Sequence, residues 1–201
     1  MRLEQRVDAA VVVIIDPGSS LQAGEMVLRA LEKITDKPVS TVFNTHIHGD
    51  HWLGNQAIKA AYPEVVIYGH PKMIKDIKDG EGETWLALME ELTEGATKGS
   101  KVVAPTLPVN HQDSITIGGI HFNIHHYGHS HTLTDIMIVA EEESVVFLGD
   151  NVLFGRLGLI SDGTFKGTIL AIDEILKTDV THWVPGHGQT GEKKDVVHYK
   201  K

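Results

Sequence analysis

The stretch Thr45-His46-Ile47-His48-Gly49-Asp50-His51 places four potential metal ligands within six residues. Neutral imidazole nitrogens and carboxylate oxygens are the usual nitrogen and oxygen ligands of zinc in proteins. In an extended segment, His46 and His48 project to the same side because side chains alternate along a strand. Asp50 and His51 follow where the chain turns, so they can face a second point close by. The stretch therefore predicts the beginning of two adjacent metal sites.

The segments on either side of this stretch are typical of a strand and a helix. Residues 39–44, Val-Ser-Thr-Val-Phe-Asn, are mostly β-branched and apolar and predict a buried strand. Residues 52–62 predict a helix. The potential ligands would thus lie at the end of a strand and lead into a helix, which is where open α/β architectures place their sites.

The composition indicates one globular domain of ordinary polarity. The chain has 201 residues, 41% hydrophobic and 22% charged, which is enough for a sizeable core. Its net charge of −9 argues against a nucleic-acid partner, because phosphate binding needs a basic surface. No apolar run approaches the roughly 18 residues that a membrane span requires, and no signal peptide is visible. We therefore expect a cytoplasmic protein with no membrane partner.

The numbers of histidine and cysteine residues limit the kinds of metal site that the chain can form. The chain contains thirteen histidines and no cysteine. The lack of cysteine excludes disulfides and zinc sites built from thiolates. Any metal would be bound by imidazole and carboxylate, a ligand set that suits zinc, iron or manganese.

The remaining sequence predicts an α/β fold. A buried strand is predicted over 9–15, followed by a turn at 16–18 and by a helix from Ser19 or Ser20 to about residue 35. Further strands are predicted at 65–68, 115–117, 120–124, 136–140, 144–148 and 180–184, and a helix over 168–178. Residues 71–100 contain an amphipathic helix with Trp85, Leu88, Met89 and Leu92 on one face, which either covers the core or belongs to a substrate lid. This order predicts mixed strands covered by helices.

Three later segments place further potential ligands at predicted strand ends. They are Gly128-His129-Ser130-His131-Thr132, Phe147-Leu148-Gly149-Asp150 and Val184-Pro185-Gly186-His187-Gly188. Two metal ions about 3.5–4 Å apart need roughly six to seven ligands between them. The chain offers that number: His46, His48, Asp50, His51, one of His129 and His131, Asp150 and His187.

The order of these motifs resembles the metallo-β-lactamase superfamily of metallohydrolases. HxHxDH at 46–51, GHSHT at 128–132, FLGD at 147–150 and VPGHG at 184–188 follow one another after Asp16-Pro17-Gly18. The resemblance implies an αββα sandwich of two mixed β-sheets flanked by helices, with the site at one edge. It also implies that residues 1–201 form a single domain. Because family members usually carry more strands before the Asp-Pro-Gly segment and a helical tail after the last histidine, we expect either a domain trimmed at both ends or a minimal member of the family.

The resemblance also assigns roles to the potential ligands. It implies a first zinc ion held by His46, His48 and His131, a second held by Asp50, His51 and His187, and Asp150 as the ligand that bridges them. Iron or manganese could replace zinc. His131 is preferred to His129 because the family ligand precedes a threonine and is soon followed by an acid, here Asp135; the reverse assignment stays open. Asp50 is the predicted catalytic residue, which would orient the nucleophile. The other seven histidines match no ligand position: His70, His111, His121, His125, His126, His182 and His198.

The implied activity is hydrolysis of a small acyl substrate. Two cations lower the pKa of a bridging water, and the resulting hydroxide attacks an ester, thioester or lactam carbonyl. Because Asp150 stands where the cysteine-containing β-lactamases carry a thiolate, the sequence favours a thioesterase similar to glyoxalase II, in its SoxH or quinoprotein-relay branch. The alternatives are a β-lactamase or promiscuous β-lactam hydrolase, a di-iron member and a nuclease of the same fold. A second copy of the chain could supply an edge strand, which predicts a homodimer.

Overall fold

A computed structural model describes residues 11–201. The first part contains β1 (Val12–Ile15), α1 (Leu21–Leu31), β2 (Val39–Phe43), α2 (Gly49–Trp52), α3 (Asn55–Ala61), β3 (Val66–Gly69), α4 (Pro71–Asp76), a π-helical segment (Ile77–Glu81), α5 (Gly82–Leu92) and β4 (Leu107–Pro108). The second part contains β5 (Ser114–Ile117), β6 (Ile120–His125), β7 (Met137–Ala140), β8 (Val145–Phe147), a 3₁₀ turn (Gly149–Asn151), α6 (Phe165–Ile175), β9 (His182–Val184) and α7 (Lys193–Tyr199).

These strands form two sheets. Strands β1 to β4 pair in chain order, each parallel to the next. Strands β5 to β9 also pair in chain order, antiparallel except for the parallel pair β8–β9. Parallel pairing needs a crossover, and helices α1 to α5 lie in the crossovers of the first sheet.

Apolar side chains hold the layers together in the order helix, sheet, sheet, helix. One cluster fills the space between the sheets, where Phe43 stacks with Tyr68 and Phe122 at ring distances of 5.1 and 5.6 Å. A second cluster joins the first sheet to α1 and α3, and a third joins the second sheet to α6 and α7. Burial of these side chains stabilises the fold by about 25 cal/mol for each Å² of apolar surface. The predicted αββα architecture is confirmed.

Several predicted elements are present with their expected local chemistry. Ser20 caps α1, its hydroxyl accepting a hydrogen bond from the backbone N–H of Ala23 at 3.1 Å. Gly118 and Gly119 form the hairpin turn between β5 and β6 with φ of 58° and 84°, the left-handed region that this turn requires. The predicted strand at 9–15 is observed as β1 from Val12; its first residues lie outside the described range.

The helix predicted over 52–62 is observed as α3, and the prediction was wrong at its start, where a separate short helix, α2, precedes it. Helix α2 ends at Trp52 and α3 begins at Asn55. The backbone N–H of Gly54 donates to the carbonyl of Gly18 at 2.8 Å, and a Cβ on Gly54 would collide with the carbonyl of Pro17. This contact with the turn after β1 interrupts the helix, and it involves residues far apart in the sequence.

The amphipathic helix predicted within 71–100 corresponds to α5, but its apolar face is only partly covered. Met89 is buried and Trp85 is partly buried, whereas Leu92 is 68% exposed. Strand β4 and helix α7 were not predicted, and both are short. Within the described residues, none of the helices has the length and apolar character that crossing a bilayer demands.

Candidate metal centre

The structure brings all seven predicted ligands together at one edge of the sandwich. Four of them lie in the loop after β2 and in α2, one lies between β6 and β7, one follows β8 and one follows β9. Three overlapping groups have ligand atoms within 4.8 Å of one another: His46, His48 and His131; His46, His51 and Asp150; Asp50, His51 and His187. Both sheets therefore contribute to a single cluster, which we call the ligand cluster.

Asp16, in the turn directly after β1, organises the part of the cluster that follows β2. Its carboxylate accepts hydrogen bonds from the backbone N–H and the hydroxyl of Thr45 at 2.8 and 2.6 Å. It also accepts a hydrogen bond from Nδ1 of His51 at 2.8 Å. Because Nδ1 of His51 donates to Asp16, Nε2 is the ring nitrogen that faces the cluster. The sequence had indicated only a turn at Asp16.

The same network orients His46. Since the Thr45 hydroxyl donates to Asp16, it can accept from Nδ1 of His46, 3.0 Å away. The Nε2 atom of His46 then points into the cluster with a free lone pair. Burial, followed by the charges of the neighbouring histidines, holds the pKa of His46 well below its usual value. His46 is therefore a neutral imidazole at physiological pH.

His131, and not His129, faces the cluster. The Nε2 atom of His131 lies 3.0 Å from Nδ1 of His48. His129 is exposed, and its Nε2 donates to the backbone carbonyl of Asp162 at 2.8 Å. The loop that carries His131 is fixed by Asp135, whose buried carboxylate accepts hydrogen bonds from Ser130 and from the N–H and hydroxyl of Thr132 at 2.6–2.7 Å.

The more open half of the cluster combines two carboxylates with two imidazoles. Nε2 of His187 lies 3.1 Å from Oδ2 of Asp50 and 3.5 Å from Oδ2 of Asp150. Asp150 also comes within 3.2 Å of Nε2 of His51 and 3.6 Å of Nε2 of His131. The side chains of Asp50 and His187 are 33% and 34% exposed, whereas Asp150 is 8% exposed. Asp150 thus lies between the two halves.

The charges in the cluster favour a bound cation. Although burial opposes ionisation, the hydrogen bond from His187 and the charge of His51 hold the pKa of Asp50 far below its usual value. Burial likewise opposes a proton on His51, yet the carboxylates of Asp16 and Asp150 hold the pKa of His51 well above its usual value. A buried site that retains ionised carboxylates in this way stabilises positive charge beside them.

One structural observation indicates that the ligand cluster is suited to bind divalent metal ions. Among the described residues, Nε2 of His46, Nε2 of His51 and Oδ1 of Asp150 are buried and make no well-aligned hydrogen bond, although the last two atoms lie 3.2 Å apart. Such an atom costs about 1–3 kcal/mol when left unpaired, and these three converge on the same space. Gly186 keeps that space open, because a Cβ at this position would collide with Oδ1 of Asp150. Imidazole and carboxylate together suit zinc, iron or manganese.

Comparisons with known proteins agree with this geometry. The profile of the metallo-beta-lactamase superfamily matches residues 7–190. A hydroxyacylglutathione hydrolase from Synechococcus sp. is 25% identical over 170 residues, which are 84% of this chain and 54% of that protein, so the chain spans about half the length of this relative.

Two solved structures have the same fold. The BLEG-1 B3 metallo-beta-lactamase has a TM-score of 0.74 and 21% identity, and the match covers 96% of this chain and 88% of the other. TTHA1623 in a di-iron-bound form has a TM-score of 0.70 and 21% identity, and the match covers 92% and 86%.

Proposed function

The chain belongs to the metallo-β-lactamase superfamily, and we propose that it is a hydrolase that uses two divalent metal ions to cleave a small acyl substrate. The observation that carries this proposal is the convergence of seven imidazole and carboxylate side chains, three of whose ligand atoms are buried without a well-aligned hydrogen bond. A polar loop without a metal would have satisfied those atoms with hydrogen bonds.

The distances suggest how the ligands divide between the two ions. His46, His48 and His131 would hold the first ion, and Asp50, His51 and His187 the second. Asp150, which approaches ligands of both groups, would be shared. When bound, such ions polarise a carbonyl and lower the pKa of water, which supplies a nucleophile near neutral pH. Zinc is the preferred metal, with iron or manganese as the alternative.

Asp50 is the proposed catalytic residue among the protein side chains. Its low pKa keeps it ionised at neutral pH, so it can accept a hydrogen bond from water and orient it for attack. Asp50 is also partly exposed, whereas His46 and Asp150 are buried, so it lies on the side from which substrate would approach. No protein side chain, Asp50 included, is needed as the nucleophile.

We favour a thioester as the substrate. The relative named hydroxyacylglutathione hydrolase supports a glyoxalase II-like activity, although this chain covers only about half of that protein. Asp150 also supports it, because the β-lactamases with a cysteine at this position differ from this chain in that ligand. The fold shared with a B3 metallo-β-lactamase makes β-lactam hydrolysis the alternative outcome of the test below.

The proposal is tested by measuring hydrolysis of a glutathione thioester and a chromogenic cephalosporin side by side. Protein reconstituted with zinc, iron or manganese should cleave the thioester, and Asp50→Ala should lose that activity. The matched control Asp36→Ala changes an exposed carboxylate that precedes β2, whereas the cluster follows the other end of that strand, and it should stay active. Cephalosporin cleavage without thioester cleavage would overturn the thioesterase assignment, and an active Asp50→Ala protein would overturn the role of Asp50.

A further inference from the structure

The segment from Asp162 to Gly167, which includes the first turn of α6, lies directly on the loop that carries His131. The backbone N–H of Thr164 donates to the carbonyl of Ser130 at 2.7 Å, and the Thr164 hydroxyl donates to the carbonyl of His129 at 3.1 Å. Cβ atoms on Gly163 and Gly167 would collide with backbone carbonyls of the same loop. The two glycines therefore allow backbone-to-backbone contact, which fixes this segment relative to the ligand cluster.

Within this segment, the Asp162 carboxylate reaches His48. Its Oδ2 accepts a hydrogen bond from Nε2 of His48 at 3.0 Å, while its backbone carbonyl accepts from His129 at 2.8 Å. The opposite ring nitrogen of His48, Nδ1, lies 3.0 Å from Nε2 of His131. Trp85 packs on the imidazole of His48 with ring centroids 4.7 Å apart.

These contacts determine which nitrogen of His48 can bind a metal. When Nε2 carries the proton that it donates to Asp162, Nδ1 must carry the lone pair, and Nδ1 is the atom that faces the cluster. A carboxylate in this position also holds the imidazole ring in one orientation. The sequence gives no sign of this contact, because residues 48 and 162 are 114 positions apart.

We propose that Asp162 is a positioning residue for the first metal position, acting through His48. This inference rests on the proposed function, since it concerns the metal that the ligand cluster would hold. Asp162 corresponds in action to Asp16, which holds His51 at 2.8 Å in the second group. The two differ in burial: the side chain of Asp16 is 14% exposed and that of Asp162 is 53% exposed.

Because Asp162 is half-exposed, an experiment can distinguish a purely structural role of this residue from a positioning role. A half-exposed carboxylate on a loop leaves no cavity when it is truncated, so the metal-free fold should keep its stability. The affinity for the first metal should fall instead. A group that hydrogen-bonds to a metal-binding histidine typically raises the affinity for the metal by 10- to 100-fold.

The test measures binding of cobalt(II) alone, by competition with a chromophoric chelator and by the visible absorption of the bound ion. The background variant His187→Ala removes a proposed ligand of the second position, so that binding reports on the first. In that background, Asp162→Ala should bind cobalt about 10- to 100-fold more weakly than its parent. Asp162→Asn should lose less, because the amide oxygen still accepts from Nε2 of His48.

The matched control is Asp179→Ala, which removes an exposed carboxylate between α6 and β9 and should leave the affinity unchanged. An unchanged affinity and spectrum in Asp162→Ala would overturn the positioning role. A fall in the melting temperature of metal-free Asp162→Ala large enough to account for the lost affinity would also overturn it. If the unmodified protein binds no cobalt, the proposed function itself has failed, which is a different result from either of these.

Discussion

Two histidine-rich regions of the molecule differ in whether their buried ring nitrogens have hydrogen-bond partners. Beside the ligand cluster lies a second group, which we call the lateral histidine group: His70, His111, His125 and His126. Its rings are also close together, with centroids 4.3 Å apart for His70 and His126. Each of its Nδ1 atoms has a hydrogen-bond partner within the protein. Among residues 11–201, none of its ring nitrogens is buried without such a partner, whereas Nε2 of His46 in the ligand cluster is.

The partners in the lateral group are ordinary protein groups. The backbone N–H of Lys72 donates to Nδ1 of His70 at 3.2 Å, and Nδ1 of His126 donates to the carbonyl of Asp135 at 2.7 Å. Among residues 11–201, the places where three or more potential ligand atoms converge all belong to the ligand cluster. In this molecule the convergence of ligand atoms, some of them buried without partners, distinguishes the candidate metal centre, and a high histidine count alone does not indicate one.

The strongest test of this contrast is the removal of the shared carboxylate. Asp150→Ala should lower the rate of hydrolysis by about 10³-fold or more, equivalent to about 4 kcal/mol of transition-state stabilisation. It should also release at least one metal ion, which metal analysis of the purified protein can measure. The double variant His70→Asn/His126→Gln should retain both ions and its activity; loss of metal from it would remove the distinction between the two regions.

Removing bound metal should lower the stability of the protein through the ligand cluster and not through the lateral histidine group. At a free zinc concentration 100 times the dissociation constant, each bound ion stabilises the fold by about 2.7 kcal/mol. Adding a chelator should therefore lower the melting temperature of the unmodified protein, as scanning calorimetry can show. The same drop in the His70→Asn/His126→Gln protein would sharpen the comparison, whereas a much smaller drop would mean that the lateral group also binds metal.

Within the loop 129–131, replacing His131 should affect metal binding and hydrolysis far more than replacing His129. His131→Ala should weaken metal binding and hydrolysis by about 10²-fold, because it removes a ligand whose Nε2 faces the cluster. His129→Ala removes only a hydrogen bond to a backbone carbonyl, which contributes about 1 kcal/mol or less at an exposed position. Metal titration and initial rates compare the two; equal losses, or a larger loss in His129→Ala, would contradict the assignment of His131.

The smallest expected effect is a pH dependence of stability in the lateral group. Burial and the neighbouring His126 lower the pKa of His70 to about 4. In the unfolded chain its pKa is near 6.5, so between pH 6.5 and pH 4 the unfolded state binds more protons and stability falls as the pH falls. Because His70 is only partly buried, we expect a loss below about 1 kcal/mol.

Urea unfolding of the chelator-treated protein at pH 7.5 and pH 5 measures this loss. His70→Asn keeps a hydrogen-bond acceptor at the start of α4 and should lose less stability between the two pH values than the unmodified chain. The control His198→Gln changes an exposed histidine on α7 and should behave like the unmodified chain. A pH dependence in His70→Asn equal to that of the unmodified protein would show that His70 does not titrate in this way.

The ligand motifs could be read from the sequence because each follows a short apolar run that forms a strand. His46, Asp150 and His187 come directly after β2, β8 and β9 or within a few residues of them. The fold class followed from the same runs together with the resemblance to a family. The homodimer, the cytoplasmic location and the boundaries of a single domain stay predictions.

The contacts of the supporting carboxylates with the ligand histidines could not be predicted from the sequence. Asp16 and Asp162 are isolated acids in turns, and their partners His51 and His48 lie 35 and 114 positions away. The break between α2 and α3 depends equally on a distant contact, that of Gly54 with the turn after β1. Helix α7 is seven residues long, too short for an apolar periodicity to be recognised.

The distribution of the ligands over both sheets has a further consequence for how the protein unfolds. His46 to His51 belong to the first sheet, and His187 belongs to the second, so bound ions would tie together two distant parts of the chain. Secreted domains obtain such a cross-link from disulfides, which this cysteine-free chain lacks. The two halves of the sandwich would then separate only after the ions dissociate. Metal exchange would set the unfolding rate, and the lifetime of the native state would depend on metal supply.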